Sequence, residues 1–232
     1  MNVPIPQDTY RMGLMGGTFD PVHFGHLRTG EEIKDRFHLD VLEFIPALMS
    51  PHKRAYPVTD PKHRVEMLRR AIHGNESFRL SEVEIHRGGI SYLYDTLHEY
   101  RTGLGSKAQF YFIMGMDSFL EIATWYRYAD LFSLTHFVIT TRPGYQRLVL
   151  AEVVSPEVAR GFRAIETQGT MIEHESGNRI YFEEIPSLDI SATDIRDRIA
   201  SGGSVRYLLP DSVWRYIVDN HLYAQDEVAH RR

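Results

Sequence analysis

The sequence predicts an α/β fold: a Rossmann-like, doubly wound, mostly parallel sheet with helices on both faces and a small helical C-terminal part. Three observations point there. Apolar strand-like runs alternate with stretches of helical period along most of the 232 residues. The first strand, helix and strand are spaced as a βαβ unit, which implies parallel pairing through a right-handed crossover. The run Phe110-Tyr111-Phe112-Ile113-Met114 is apolar without a break, as a strand covered on both faces must be.

In order, Arg11 to Met15 reads as a short buried strand, followed by Gly16-Gly17 and the turn pair Asp20-Pro21. A helix is expected from about Val22 toward Phe37, with Pro21 suited to its entry. Val41 to Pro46 is a second strand stopped by proline. Ala47 to Asp60 reads as a loop. Pro61 to Ile72 reads as a helix, with Val65, Leu68 and Ile72 on one face and Gly74 past its end. Phe78 to Ile85 is expected as a strand, Ser91 to Tyr100 as a helix and Ala108 to Met114 as the central strand. A turn at Gly115-Met116-Asp117 leads into a short helix through Ile122. His136 to Thr140 is a strand ended by Arg142-Pro143-Gly144. A weak helix is expected from Glu157 to Ile165, and the most mobile part of the molecule around Gln168 to Asn178. Arg179 to Ile185 reads as the last strand; Ile190 to Ile199 and Asp211 to Asn220 are closing helices. One domain over residues 1–232 is expected, with 1–9 and 224–232 as flexible ends.

A net charge of −5 argues against a nucleic-acid surface built on bulk positive charge. The chain has no cysteine, which removes disulfides and thiol catalysis. No apolar run approaches the roughly 20 residues of a membrane span. The N-terminus lacks the basic start and apolar core of a signal peptide. A cytoplasmic enzyme fits all of this, and so does a binding protein.

Chemistry concentrates at Gly16-Gly17-Thr18-Phe19-Asp20-Pro21-Val22-His23-Phe24-Gly25-His26. A strand, a glycine turn and a helix N-terminus aim free N–H groups and the positive end of the helix dipole at one spot, an anion site. His23 and His26, three apart, share a helical face beside it, and Gly25 leaves room for a ligand. Two imidazoles there can stabilise charge on phosphate oxygens. The alternatives are a metal pair or two surface histidines. Zinc would want a third ligand and usually i, i+4 spacing.

This stretch resembles the signature of the HxGH nucleotidylyltransferases, and its full form is most similar to bacterial nicotinate mononucleotide adenylyltransferases. The resemblance runs from Gly13 to about Tyr223. It implies that His23 and His26 act on the transferring phosphate, and that Gly16, Gly17, Thr18 and Phe19 bind ATP. Lys53, in Ser50-Pro51-His52-Lys53, would reach the triphosphate; the family often has asparagine and a second proline where this chain has Ala47 and Ser50. Gly115 and Asp117 match the family's Gly-x-Asp-Ser turn. The family role for Asp117 is the ATP ribose, while an ordinary helix N-cap is the alternative. Thr124-Trp125-Tyr126 matches the segment whose tryptophan stacks on the acceptor's pyridine ring, against which stands a plain core tryptophan. Ser91-Tyr92-Leu93 resembles an acceptor-side Ser-Tyr-Thr segment, with the threonine replaced by Leu93.

Ser191 and Asp194 form a capping pattern that starts a helix. In the family this segment, with Ser191, Thr193 and Arg196, holds ATP phosphates opposite the histidines. His52, His63, His73, His86, His98, His136 and His174 match no catalytic pattern and read as structural or surface groups.

The expected reaction is adenylyl transfer from ATP to nicotinate mononucleotide. His23, His26, Lys53 and Arg196 would be catalytic. Mg²⁺ would ride on ATP, and a homo-oligomer is compatible with the chain. The competing readings are another acceptor (nicotinamide mononucleotide or pantetheine phosphate) and a non-catalytic nucleotide sensor.

Overall fold

The computed structural model describes residues 9–51, 58–141, 149–165, 171–186 and 188–224. The chain runs β1 (Tyr10–Gly17), α1 (Phe24–Arg36), β2 (Val41–Pro46), α2 (Pro61–Ile72), β3 (Phe78–Leu80), α3 (Val83–Arg87), α4 (Leu93–Leu104), β4 (Ala108–Gly115), α5 (Met116–Leu120) and α6 (Tyr128–Leu134). It continues through β5 (His136–Thr141), α7 (Pro156–Arg160), β6 (Phe162–Ala164), β7 (Met171–His174), β8 (Arg179–Glu184), α8 (Ala192–Ala200) and α9 (Asp211–Asp219).

The eight strands form one sheet in the order β3-β2-β1-β4-β5-β8-β7-β6. Pairing is parallel from β3 through β8, and the last two ladders are antiparallel. From β1 the chain first winds outward through β2 and β3, then crosses back so that β4 lies on the other side of β1. The topological switch point therefore falls between β1 and β4, where open sheets of this kind bind ligands. The register brings the carboxyl ends together: Gly16 opposes Ile45, Met15 opposes Ile113 and Met114 opposes Ile139. The turns after Gly17, Pro46 and Gly115 thus share one edge, as the sequence implies. The Arg142 turn lies outside the described residues.

Strand alternation builds two cores. On one face Met15, Tyr111 and Ile113 pack with Ile33 of α1, Leu68 of α2, Ile195 of α8 and Ile217 of α9. On the other, Leu14, Phe112 and Met114 pack with Leu97 of α4, Phe119 of α5 and Leu131 of α6. Leu14 and Phe110 are fully buried, and truncating such a side chain to alanine costs about 2–5 kcal/mol.

Several expectations are corrected. The strand expected over 78–85 stops at Leu80, because only Phe78–Leu80 finds a partner, in Leu42–Phe44 at the sheet edge. The phase break beyond it is the chain entering α3, which carries Glu84 inward. The helix expected from Ser91 begins at Leu93 and runs on to Leu104, where Gly105 (φ +57°) ends it. The helix expected over 157–165 is one short turn capped by Ser155, after which Phe162–Ala164 pairs with β7. Within the segment expected to be mobile, Met171–His174 is a strand and Glu175–Asn178 turns into β8; residues 166–170 lie outside the described residues. The polar, glycine-containing turn at 175–178 dominates the local composition and hid the short strand ahead of it. Residues 1–8 and 225–232 of the expected flexible ends are likewise outside the described residues.

Candidate active site

The helix that follows the glycine turn starts at Phe24, two residues later than expected. His23 is its N-cap in extended conformation (φ −147°, ψ 171°), and His26 is at the third helical position. The two rings still meet, with centroids 3.8 Å apart, because N-cap and N3 side chains are neighbours. The His23 N–H donates to His26 Nδ1 at 3.3 Å. That bond assigns the neutral His26 ring its proton at Nε2. Phe19 supports the other side of His26 with its edge, centroid to centroid 5.0 Å. Phe19 is buried at 2% exposure and holds a left-handed backbone (φ +50°). Its ring packs against Gly17 and His26, and the left-handed backbone of a bulky residue marks local strain at the site.

His23 is buried, and desolvation lowers its pKa to about 4. It is therefore neutral at pH 7, a dipolar partner and not a cation. Its Nδ1 is buried without a hydrogen-bond partner among the described residues. Gly25 serves this ring: a Cβ there would lie 3.0 Å from His23 Cε1 and Nδ1. The absence of a side chain at Gly25 thus leaves room for the His23 ring. Among the described residues no group of three His, Cys, Asp or Glu could hold a metal.

The low pKa has a consequence for stability. A histidine whose folded pKa lies below its unfolded value near 6.5 contributes stability that is present above pH 6.5 and lost as pH falls through about 4. For His23 the loss should be on the order of 3 kcal/mol. Buried His136, whose pKa is also lowered to about 4, acts with the same sign. Denaturant unfolding of wild type and His23→Asn at pH 7 and pH 4 isolates the His23 share. The variant should lose less stability over that interval, and equal losses would show that His23 is not held neutral.

The second motif lies beside the first. Ser191 Oγ accepts the Asp194 N–H at 3.0 Å and caps α8, as the sequence predicts. Arg196 Nη1 donates to the Asp20 carbonyl at 2.6 Å, and its Nη2 donates to Thr193 Oγ1 at 3.2 Å. The Ile190 carbonyl would lie 3.7 Å from a Cβ at Gly25. The N-termini of α1 and α8 thus converge, bringing His23, His26, Thr193 and Arg196 to one place.

Next to them a cavity of about 340 Å³ opens at the switch point. Gly16, Gly17 and Thr18 form one wall, Ile45, Ala47 and Ser50 another, and Ser91, Tyr92, Trp125 and Tyr126 the far side. Trp125 both lines the cavity and packs on the core of Leu14, Phe112 and Met114. Tyr126 is half exposed and its ring lies 4.7 Å from that of Tyr92. Thr124 is not in the lining, and its hydroxyl donates to the Glu121 carbonyl at 2.7 Å. Gly115 is the N-cap of α5 and Asp117 sits exposed in the first turn, so Asp117 is not the cap. Lys53 and His52 lie outside the described residues.

Tyr92, part of the Ser91-Tyr92-Leu93 match, supplies an aromatic wall. One group was not legible as part of the site. Glu84 lines the cavity from α3, where sequence reading placed a strand. It is buried, which pushes its carboxyl pKa up, against the hydrogen bonds from Thr96 and Ser91. The Thr96 hydroxyl donates to Glu84 Oε1 at 2.7 Å.

The cytidylyltransferase-like family model matches residues 14–198. A protein of Thermoanaerobacter sp. (strain X514) named "Probable nicotinate-nucleotide adenylyltransferase" is 44% identical over 94% of this chain and 96% of its own. A Moorella thermoacetica protein of the same name is 40% identical over 92% of this chain and 91% of its own. Among solved structures, Plasmodium falciparum nicotinic acid mononucleotide adenylyltransferase complexed with NaAD aligns with a TM-score of 0.68. It is 18% identical, over 92% of this chain and 97% of that one, which supports the fold. Among the described residues no helix is long and apolar enough to cross a membrane.

Proposed function

We infer the reaction from one premise: this chain belongs to the cytidylyltransferase-like family and, within it, to the nicotinate-nucleotide adenylyltransferases. The protein transfers the adenylyl group of ATP to nicotinate mononucleotide, giving nicotinate adenine dinucleotide and pyrophosphate. The observation that carries this is the cavity at the switch point, lined by Gly16, Gly17 and Thr18, which lead into the paired histidines, and by Trp125, Tyr126 and Tyr92.

The acceptor phosphate oxygen attacks the α-phosphorus of ATP. One P–O bond forms, the bond to the bridging α–β oxygen breaks, and its electron pair leaves with pyrophosphate. The substrate brings its own nucleophile, so no covalent enzyme intermediate is needed. The protein contributes alignment and charge stabilisation. In this reading Gly16, Gly17 and Thr18 approach the ATP phosphates, and the Nε2–H of His26 donates to an oxygen of the α-phosphate. Neutral His23 holds the His26 ring in place. Arg196, Ser191 and Thr193 face the phosphates from α8, with Lys53 assigned to the triphosphate. Asp117 takes the ribose hydroxyls. Magnesium is carried by ATP, where it neutralises phosphate charge.

Pyrophosphate release from ATP, measured with each acceptor in turn, tests the assignment. Release with nicotinate mononucleotide is expected; release only with pantetheine phosphate, or none with any acceptor, would overturn it.

Trp125 should serve the acceptor and not ATP. Trp125→Ala is expected to raise the acceptor KM by roughly tenfold or more, the scale of a lost stacking contact, with the ATP KM little changed. A variant that unfolds or loses both affinities equally would assign Trp125 to the core alone.

A further inference from the structure

Behind the cavity, outside its lining, one cation is almost completely buried. Arg64 of α2 is 1% exposed, and its hydrogen bonds run to backbone carbonyls. Nη1 donates to Thr18 O at 2.8 Å and to Ala47 O at 2.7 Å. Nη2 donates to Leu48 O at 3.4 Å, and Nε to Thr59 O at 2.8 Å. Thr18 belongs to the turn after β1 and Ala47 to the segment after β2, and both line the cavity. A single guanidinium nitrogen therefore joins two of its walls. The link continues toward the acceptor side, since Leu48 N–H donates to Ser91 Oγ at 2.9 Å and Ser91 N–H to the Met49 carbonyl at 2.9 Å.

The counter-charge comes from the signature itself. Asp20 is 5% exposed. Its Oδ1 accepts the Tyr223 hydroxyl at 2.6 Å and its Oδ2 the Thr59 N–H at 3.2 Å. Burial works against the Arg64 charge and Asp20 works for it. Burying a cation is costly, and an apolar side chain of similar volume would pack α2 against the sheet as well. What arginine adds is a rigid planar fork that holds several acceptors in one geometry, which neither leucine nor lysine does.

We propose that Arg64, balanced by Asp20, is a positioning residue for the transfer: it sets the separation of the nucleotide turn from the acceptor wall. The proposal rests on the adenylyl-transfer reading above. Alignment is the main catalytic contribution in that reaction, and a displacement of about 1 Å between reactants can cost about a hundredfold in rate. Arg64 touches neither substrate; it acts through Thr18 and Ala47.

The test is Arg64→Lys, which keeps the charge and loses the fork. Turnover is measured per ATP-binding chain, with calorimetric stoichiometry fixing the folded population. The expected result is a kcat about 10- to 100-fold lower with the KM of each substrate within about threefold of wild type. Wild-type turnover per binding chain, or raised KM values at unchanged kcat, overturns the proposal, because a purely structural residue would behave so. If Arg64→Lys does not fold, Tyr223→Phe decides, since it removes only a hydroxyl from Asp20. A several-fold lower kcat at unchanged KM supports the device, and wild-type kcat overturns it. Wild-type protein that makes no dinucleotide would overturn the adenylyl-transfer reading and the proposal together, an outcome distinct from either variant result.

Discussion

Replacing His26 with alanine should lower kcat by roughly a hundredfold or more while leaving ATP affinity nearly unchanged. That is the scale for removing one preorganised donor aimed at developing charge. The geometry makes His26 such a donor. Its Nδ1 accepts the His23 N–H, which leaves the proton on Nε2. Its ring is held between the His23 ring at 3.8 Å and the Phe19 edge at 5.0 Å. No reorganisation is then needed as charge builds on the transferring phosphate. The same substitution removes an N-cap bond of α1, a loss of about 1 kcal/mol, so a small fall in Tm should accompany the kinetic effect without explaining it. Steady-state kinetics combined with calorimetric ATP binding separates the two. Near-normal turnover would remove His26 from the mechanism.

The acid mononucleotide should be used roughly a hundredfold or more efficiently than the amide, by kcat/KM. A site built to pair one polar group rejects the analogue that leaves its donors unpaired. Nicotinate is an acceptor at its carboxylate, whereas an amide pocket would offer an acceptor to the N–H₂ group. The segment Thr124 to Tyr128 contains no carboxylate, and Asp130 just beyond it is occupied by an ion pair with Arg127 Nε at 2.6 Å. Glu84 and Glu121 do line the cavity. Glu84 has its carboxyl engaged by Thr96 and Ser91, and its burial favours the neutral form, so it neither repels the acid strongly nor offers free lone pairs to the amide. Parallel assays with the two mononucleotides measure the ratio. Equal efficiencies, or preference for the amide, would overturn the acceptor assignment and leave adenylyl transfer standing.

Much of this site was legible because its parts are local. Pro61 at the head of its helix and Ser191 ahead of Asp194 each announce a helix start within a few residues, and the structure places them so. Gly16-Gly17, expected as a turn, is instead the paired end of β1, and the chain turns at Asp20-Pro21. The parallel sheet and the gathering of turns on one edge followed from alternation alone. The weak points were also local in origin. Phe78–Leu80 is too short for period to resolve from the turn and helix after it. Met171–His174 is only four residues long, with two apolar residues followed by two polar ones and no alternation, so it carries little periodic signal.

By itself, then, the sequence determined the layer architecture and the start of the helix after the first strand, because backbone preference and hydrophobic period act between near neighbours; the groups expected around that start came from the family resemblance. Only the tertiary structure decided what each group does there. It made His23 a buried neutral support, turned Gly25 into space for that ring, and packed Phe19 against Gly17 and His26. It also tied Asp20 to Arg196 across 176 residues and to Tyr223 across 203, and closed Arg64 onto four carbonyls. Burial and hydrogen-bond partners are properties of the packed interior, where desolvation sets a pKa and a distant carbonyl meets a guanidinium. No run of neighbouring residues encodes them, because each depends on segments that meet only once the sheet has closed.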